Sequence, residues 1–413
     1  MVTHSRAVTQ RIDELSSVLP AVSVTVHQQA SLLALSAFVF ALMFAAGVAA
    51  PVVPLYGASL GASWTELGLM GTSWGATAMI LAIPTGRMSD RFGRKPLLIG
   101  SGALSALAAL LYLVSSTVLQ VILVRVIEGV VWALFWPTIE AFATEIVDPA
   151  DAGRAMGITT AAYGIGYGSG STAGGLVVGL LGYAQTFACY LGLSLVSVLV
   201  AVLFLREPLR RSGAMISENP GRALDFRRIS RPILVAYSLG GMYTFGLGMM
   251  LTLFAVFAKD LGIEVFWIGT LFGLFWVGRI AGFLAGGRLS DKYGRRPIAI
   301  AAMIGSALAL SLVATSTRTG PLWEAVLILG LSIGAAFPVS IALISDNVTQ
   351  SLRGYAMGIF EASCAAGFMA ASTFGGLLAD FYSPRTPYLL ATIVSLSSAA
   401  ILTLMLHGSQ ASR

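Results

Sequence analysis

Gly86-Arg-Met-Ser-Asp-Arg-Phe-Gly-Arg-Lys-Pro96 recurs 201 residues later as Gly287-Arg-Leu-Ser-Asp-Lys-Tyr-Gly-Arg-Arg-Pro297. At the same offset, and without a gap, Leu60-Gly61 meets Leu261-Gly262 and Gly68 meets Gly269. Gly129 and Pro137 meet Gly330 and Pro338, Ala155-Met-Gly157 meets Ala356-Met-Gly358, and Gly174-Gly175 meets Gly375-Gly376. So long an ungapped register marks a duplication. The chain is two copies of one unit, and the charged turn is the same part of each.

The sequence on either side of these turns is apolar. Of 413 residues, 56% are hydrophobic and 11% charged, whereas a soluble domain carries about 25% charged residues. Segments of about 20 apolar residues suffice to cross a bilayer core. Six occur in the first copy: Leu32 to Tyr56, Glu66 to Thr85, Pro96 to Val114, Val118 to Thr144, Ala155 to Leu181 and Thr186 to Leu205. The second copy supplies Pro232 to Phe257, Val265 to Gly286, Pro297 to Thr315, Pro321 to Ile344, Tyr355 to Ala379 and Pro387 to Leu406. The expected fold is an all-α membrane protein with twelve transmembrane helices in two pseudo-symmetric six-helix bundles, residues 32–205 and 232–406. Around them stand an N-terminal segment (1–31), a basic linker (206–231) and a short tail (407–413).

Orientation follows from Lys and Arg, which collect on the cytoplasmic side of membrane proteins. With both termini inside, only Lys259, Arg318 and Arg385 fall outside, while Arg125 and Arg279 lie within spans; all others of the 25 basic residues face the cytoplasm. The net charge of +6 thus reads as a topology signal, not as a nucleic-acid surface. Because each copy has an even number of spans, the two share one orientation. They form a parallel repeat about an axis along the membrane normal, with the solute path expected between them.

The paired turns carry the G-x-x-x-D-R/K-x-G-R-R/K signature of the major facilitator superfamily, and the chain resembles that family from its first span to its last. It is most similar to the twelve-helix drug and small-molecule proton antiporters. Arg125 and Gly129 match an R-x-x-x-G element in the fourth span, with Glu128 where many relatives carry glutamine. The run from Gly166 through Gly170 to Gly174 and Gly175 matches a glycine-rich helix-packing element of the fifth span, with Ser171 at the family's proline. The resemblance implies a cytoplasmic gate made of Asp90, Arg94 and Glu145, repeated as Asp291, Arg295 and Asp346. The two partner acids stand twelve residues before Gly157 and Gly358. In the turn itself, Gly86 and Gly93 are expected to permit tight backbone reversal, and Asp90 to face the positive end of a neighbouring helix.

Setting aside Glu66 and Glu324 at span starts, five charged residues lie inside spans: Arg125, Glu128, Glu140, Arg279 and Glu361. Each costs about 2.5–3.5 kcal/mol at a helix centre on insertion scales, so all are expected to face the protein interior. Arg125 and Glu128, three apart, share a helix face; they form either a self-satisfied pair or a proton-linked one. Glu361 reads as a proton or solute site, or as a protonated helix–helix contact. Arg279 lies in a Gly278-x-x-x-Gly282-x-x-x-Gly286 packing stripe, where an acid across the bundle and an anionic solute are equal alternatives. Trp74, Trp132, Trp136 and Trp276 lie within spans and not at the interfacial belt. They either pack helices or receive an apolar or cationic solute.

The chain has no Walker motif, so it does not hydrolyse ATP. Gly168-Ser-Gly170 lies mid-span without the strand a dinucleotide site needs. No nucleophile constellation, metal cluster or cofactor is expected, and Cys189 and Cys364 read as buried free thiols. The expectation is a monomeric secondary transporter of a prokaryotic plasma membrane, exchanging protons for a drug-like or amphipathic solute. Proton-coupled uptake of a sugar or organic acid is the alternative.

Overall fold

The computed structural model describes residues 28–148, 151–208, 231–349 and 352–407, which are helical almost throughout and contain no strand. The first span is a broken helix, α1 (residues 28–49) and α2 (Val52–Ser59), interrupted at Ala50 and Pro51. The helices α3 (Trp64–Phe92), α4 (Arg94–Val114), α5 (Val118–Glu145), α6 (Ala152–Leu181) and α7 (Tyr183–Phe204) complete the first half. The second half repeats this plan. A broken span, α8 (Arg231–Thr252) and α9 (Phe254–Asp260), precedes α10 (Val265–Tyr293), α11 (Arg295–Thr315), α12 (Thr319–Asn347), α13 (Arg353–Phe381) and α14 (Thr386–His407).

Eleven spans among the described residues are long and apolar enough to cross a bilayer. At 30 residues α6 is also long enough, but its glycines, serines and threonines dilute its hydropathy. Those residues bring helices close together where lipid contributes no hydrophobic drive between them. A Cβ on Gly166, Gly170 or Gly174 would run into the backbone carbonyls of Phe40, Phe44 or Val48 on α1, so the two helices lie backbone to backbone along three turns.

Local chemistry sets several helix starts. Ser63 and Glu66 form a reciprocal capping box on α3, and Thr117 and Gln120 form one on α5, satisfying amide groups that would otherwise lack acceptors. The charged turns are tighter than the spacing predicts. Gly86 is helical and its surroundings are open; α3 continues through it to Phe92, because beyond the hydrocarbon nothing stops a helix of good formers. Only Gly93 (φ 97°) reverses the chain, and Gly294 (φ 93°) does so in the copy, a backbone region that favours glycine.

The halves meet along two helix pairs. On one, α3 packs on α13: Gly68 and Gly71 lie against Ser372, and the Thr72 and Thr373 hydroxyls bond at 2.7 Å. On the other, α6 packs on α10, with Gly175 against Gly269 and Gly168 against Trp276. These contacts run from the helix middles to the end opposite the charged turns. Toward the basic end Gly157, Gly287 and Gly358 have no neighbouring atoms within 4 Å of a Cβ position. The halves diverge there, leaving a cleft that opens on the basic end and closes near mid-helix. Outward-facing Leu195, Leu199 and Leu203 on α7, each more than half exposed, present the apolar surface that lipid covers. Cys364 is buried, whereas Cys189, expected inside, is exposed on the same outer helix.

Candidate functional site

Arg94 opens α4 and reaches back to α3 and across to α5. Its Nη2 donates to Glu145 at 2.6 Å, its Nε to the same carboxylate at 3.1 Å, and its Nη1 to Asp90 and Ser89 at 2.8 and 2.7 Å. The copy repeats the hand: Arg295 donates to Asp291, to Ser290 at 2.8 Å and to Asp346 at 3.3 Å. Both sets lie wholly within one half and are formed while the basic end is open. Asp90 bonds Arg94; the start of α4 takes Glu207 instead, whose carboxylate accepts from the Arg94 and Lys95 amides at 2.5 and 2.8 Å. Glu207, just beyond α7, has no signal in the turn itself, and position 408, its counterpart at the repeat offset, is a glycine.

Arg125 and Glu128 form a closed pair on α5. The guanidinium Nη1 meets Glu128 Oε2 at 2.5 Å, and Nε donates to the Met70 carbonyl at 3.3 Å. Tyr112 on α4 and Tyr190 on α7 donate to the two carboxylate oxygens at 3.1 and 3.2 Å, with Ser105 and Ser194 extending the network. Glu128 is 9% exposed. Its partners all belong to the first half, so this carboxylate points into that bundle and away from the cleft.

Aromatic rings form the cleft's closed end. Phe368 on α13 meets Trp74 on α3 (4.9 Å between centroids), Trp74 meets Trp132, and Trp132 stacks on Trp136 with planes 1° apart. The chain of rings continues through Tyr163 on α6 to Trp276 on α10 at 5.4 and 5.1 Å, spanning both halves. Arg279 sits one turn along from Trp276, its guanidinium carbon 4.4 Å from the indole centroid and within 6 Å of the Tyr163 and Tyr243 rings. One guanidinium nitrogen bonds the Tyr243 hydroxyl. No carboxylate among the described residues pairs with Arg279. Nearer the basic end stand two acids, Glu140 on α5 of the first half and Glu361 on α13 of the second. Glu361 is exposed by surface area, on the helix that packs against α3 of the other half.

At the far end Asp380, the penultimate residue of α13, accepts from the Trp64 and Thr65 amides at 3.0 and 2.7 Å and from the Thr65 hydroxyl at 2.5 Å. It caps the start of α3 from the opposite half. Its separation from Thr65 by 315 residues hides the contact from sequence reading.

A duplicated six-helix unit, a shared cleft and matching charged turns are the architecture of one transporter family. A sequence profile of the Major Facilitator Superfamily matches residues 33–283 and again 236–413. The chain belongs to that superfamily. Its members are transporters and not enzymes, and the chain is a multi-pass membrane protein. Among superfamily relatives, the multidrug resistance protein 2 of Bacillus subtilis is 24% identical over 86% of this chain and 90% of its own. The class C tetracycline resistance protein of Escherichia coli is 25% identical over 67% and 70%. Superfamily structures share the fold: the nucleoside transporter NupG superposes with a TM-score of 0.78 at 16% identity, covering 91% of this chain and 99% of its own. A bacterial homologue of the lysosomal transporter Spinster, in an inward-facing unoccupied conformation, gives 0.76 at 15% identity over 92% and 97%.

Proposed function

We propose that this chain is a proton-coupled exporter of drug-like or amphipathic compounds, working by alternating access in a plasma membrane with its basic end and both termini in the cytoplasm. The carrying observation is the cleft. It is closed by an aromatic wall at mid-helix and open at the basic end, and in this reading the span acids Glu140 and Glu361, one from each half, line it, where ionisable groups are costly and mark functional sites. In this reading residues 32–205 and 232–406 rock as two bodies about the glycine-lined contacts, and the solute enters from the basic end onto the rings. The carboxylates take up the proton whose return drives release. The Arg94 and Arg295 clusters keep each half rigid at its gate end, and Glu128 with Arg125 ties α5 to its bundle. The relatives' multidrug and tetracycline resistance names support export. Ser171, where the family's exporters carry proline, favours the opposite direction: its hydroxyl bonds the Tyr167 carbonyl at 2.8 Å within an unbroken α6.

The test is purified protein in lipid vesicles under an imposed pH gradient, scored for dye movement. Export predicts that dye moves against the proton flow and that Glu361→Gln stops gradient-driven movement. Accumulation of labelled sugars or organic acids with the proton flow would establish uptake instead.

A further inference from the structure

We infer that the cleft is built for a solute carrying an anionic group beside a flat apolar body, and that Arg279 with Trp276 receives the anion. The inference rests on the transporter reading above and narrows its substrate. Arg279 lies at the middle of α10, where an unpaired cation is costly, yet it has no ion-pair partner among the described residues. Buried hydrogen-bonding groups in native proteins are nearly always satisfied, and those that are not call for an explanation. Here two buried donors have no hydrogen-bond partner among the described residues: the Arg279 Nη1 and the Trp276 indole Nε1. Tyr243 takes the other guanidinium nitrogen, and Tyr163 lies beside it with its ring centroid 5.9 Å from the guanidinium carbon. The place therefore has a positive charge, a surplus of donors and no negative group of its own.

The neighbouring surfaces decide what else the ligand carries. Trp276 touches Tyr163 and Tyr167, and Trp136 lies 5.4 Å from Tyr163, so a planar apolar body has rings on several sides. A cationic ligand would have to share this box with Arg279, which already covers the Trp276 face at 4.4 Å. An anion meets the guanidinium instead, in a charge-assisted bond roughly twice as strong as a neutral one. The site is also poised to move. Tyr163 belongs to the first half and Trp276, Arg279 and Tyr243 to the second, so any rocking of the halves changes the box.

Fluorescein and rhodamine 6G share a flat xanthene core and carry opposite charges, which isolates the variable in question. Binding of each to the full-length protein in nanodiscs is measured by fluorescence anisotropy, alongside their movement in vesicles under a pH gradient. Wild type is expected to prefer fluorescein. Arg279→Gln should weaken fluorescein by about tenfold or more without weakening rhodamine 6G, and Arg279→Lys should restore part of the loss. Trp276→Phe, which keeps the ring but removes the donor, should weaken fluorescein a few-fold; it also serves if Arg279→Gln fails to fold. Fluorescein binding unchanged in Arg279→Gln and Trp276→Phe, a preference for rhodamine 6G, or binding of neither dye overturns the inference. Gradient-driven movement of rhodamine 6G but not of fluorescein by the wild type would do so while leaving the transporter standing. Arg279-dependent fluorescein binding without movement of either dye would instead remove the transport reading and leave the anion site.

Discussion

Glu128 is held by three side chains, Tyr112 and Tyr190 from two other helices and Arg125 from its own, and that density of partners sets what its removal does. Taking one member from a buried ion pair costs about 3–5 kcal/mol, because the charge left behind has no water to turn to. Glu128→Gln is therefore expected to lower the melting temperature in detergent well below that of the Arg125→Met, Glu128→Gln double variant, which leaves no orphan charge. Equal losses in the two would remove the pair's claim to matter. At the charged turns the balance differs. Asp90 and Asp291 are more than half exposed at the side chain, and exposed pairs contribute about a kcal/mol or less. Asp90→Asn should leave the melting curve almost unmoved while cutting transport sharply in vesicles; unchanged transport rates would count against a role in the gate. The three-residue spacing already placed Arg125 beside Glu128. It could not place Tyr112 and Tyr190 around them, since those contacts depend on how α4 and α7 rotate about their own axes.

Among the helices, α6 shows how far a glycine pattern can be read. The spacing of Gly166, Gly170 and Gly174 marks one packing face, and the structure sets α1 against that face. Which helix it would be was beyond the pattern, because every span offers an apolar side. The contrast with Gly157 on the same helix makes a test. Gly170→Ala drives a methyl into the Phe44 backbone, whereas Gly157→Ala meets open space and gains about 1 kcal/mol of helix propensity. The first should lower thermal stability and the second hold or raise it, measured on the purified protein by a melting curve; matching curves would place α1 elsewhere. The overrun of α3 through Gly86 has a related cause. Hydropathy marks where the bilayer ends, not where the helix does, and only the positive φ of Gly93 ends it. Glu207 was missed for the same reason as Asp380. Each carboxylate caps a helix start far away in sequence, and nothing at its own position announces the partner.

For the whole molecule, the duplication was the most legible feature. Offset-related residues repeat the turn geometry, from Gly61 and Gly262 to Gly93 and Gly294, all with positive φ, and Lys95 and Arg296 each donate to a carbonyl of the last helix in their half. A chain that must pass between two shapes can be stopped by a tie across its closed end. With Cys189 and Cys364 first replaced, the pair Thr72→Cys and Thr373→Cys should form a disulfide on oxidation, since the native hydroxyls lie 2.7 Å apart. Vesicle transport is expected to stop on oxidation and return on reduction; transport unaffected by the bond would mean that these helices never part.

Asp380 breaks the symmetry of that closed end. Its counterpart at the repeat offset is Gly179, whose Cβ position only grazes the Phe266 amide at 3.9 Å. Both flanks of the far end bring glycine against glycine, Gly68 on Gly376 and Gly175 on Gly269, but only one is also fastened by a carboxylate on two amides and a hydroxyl. Such a molecule does not part evenly. In the proposed rocking cycle the smooth flank would serve as the hinge of a door and the Asp380 flank as its bolt, with the far side opening along α3 and α13.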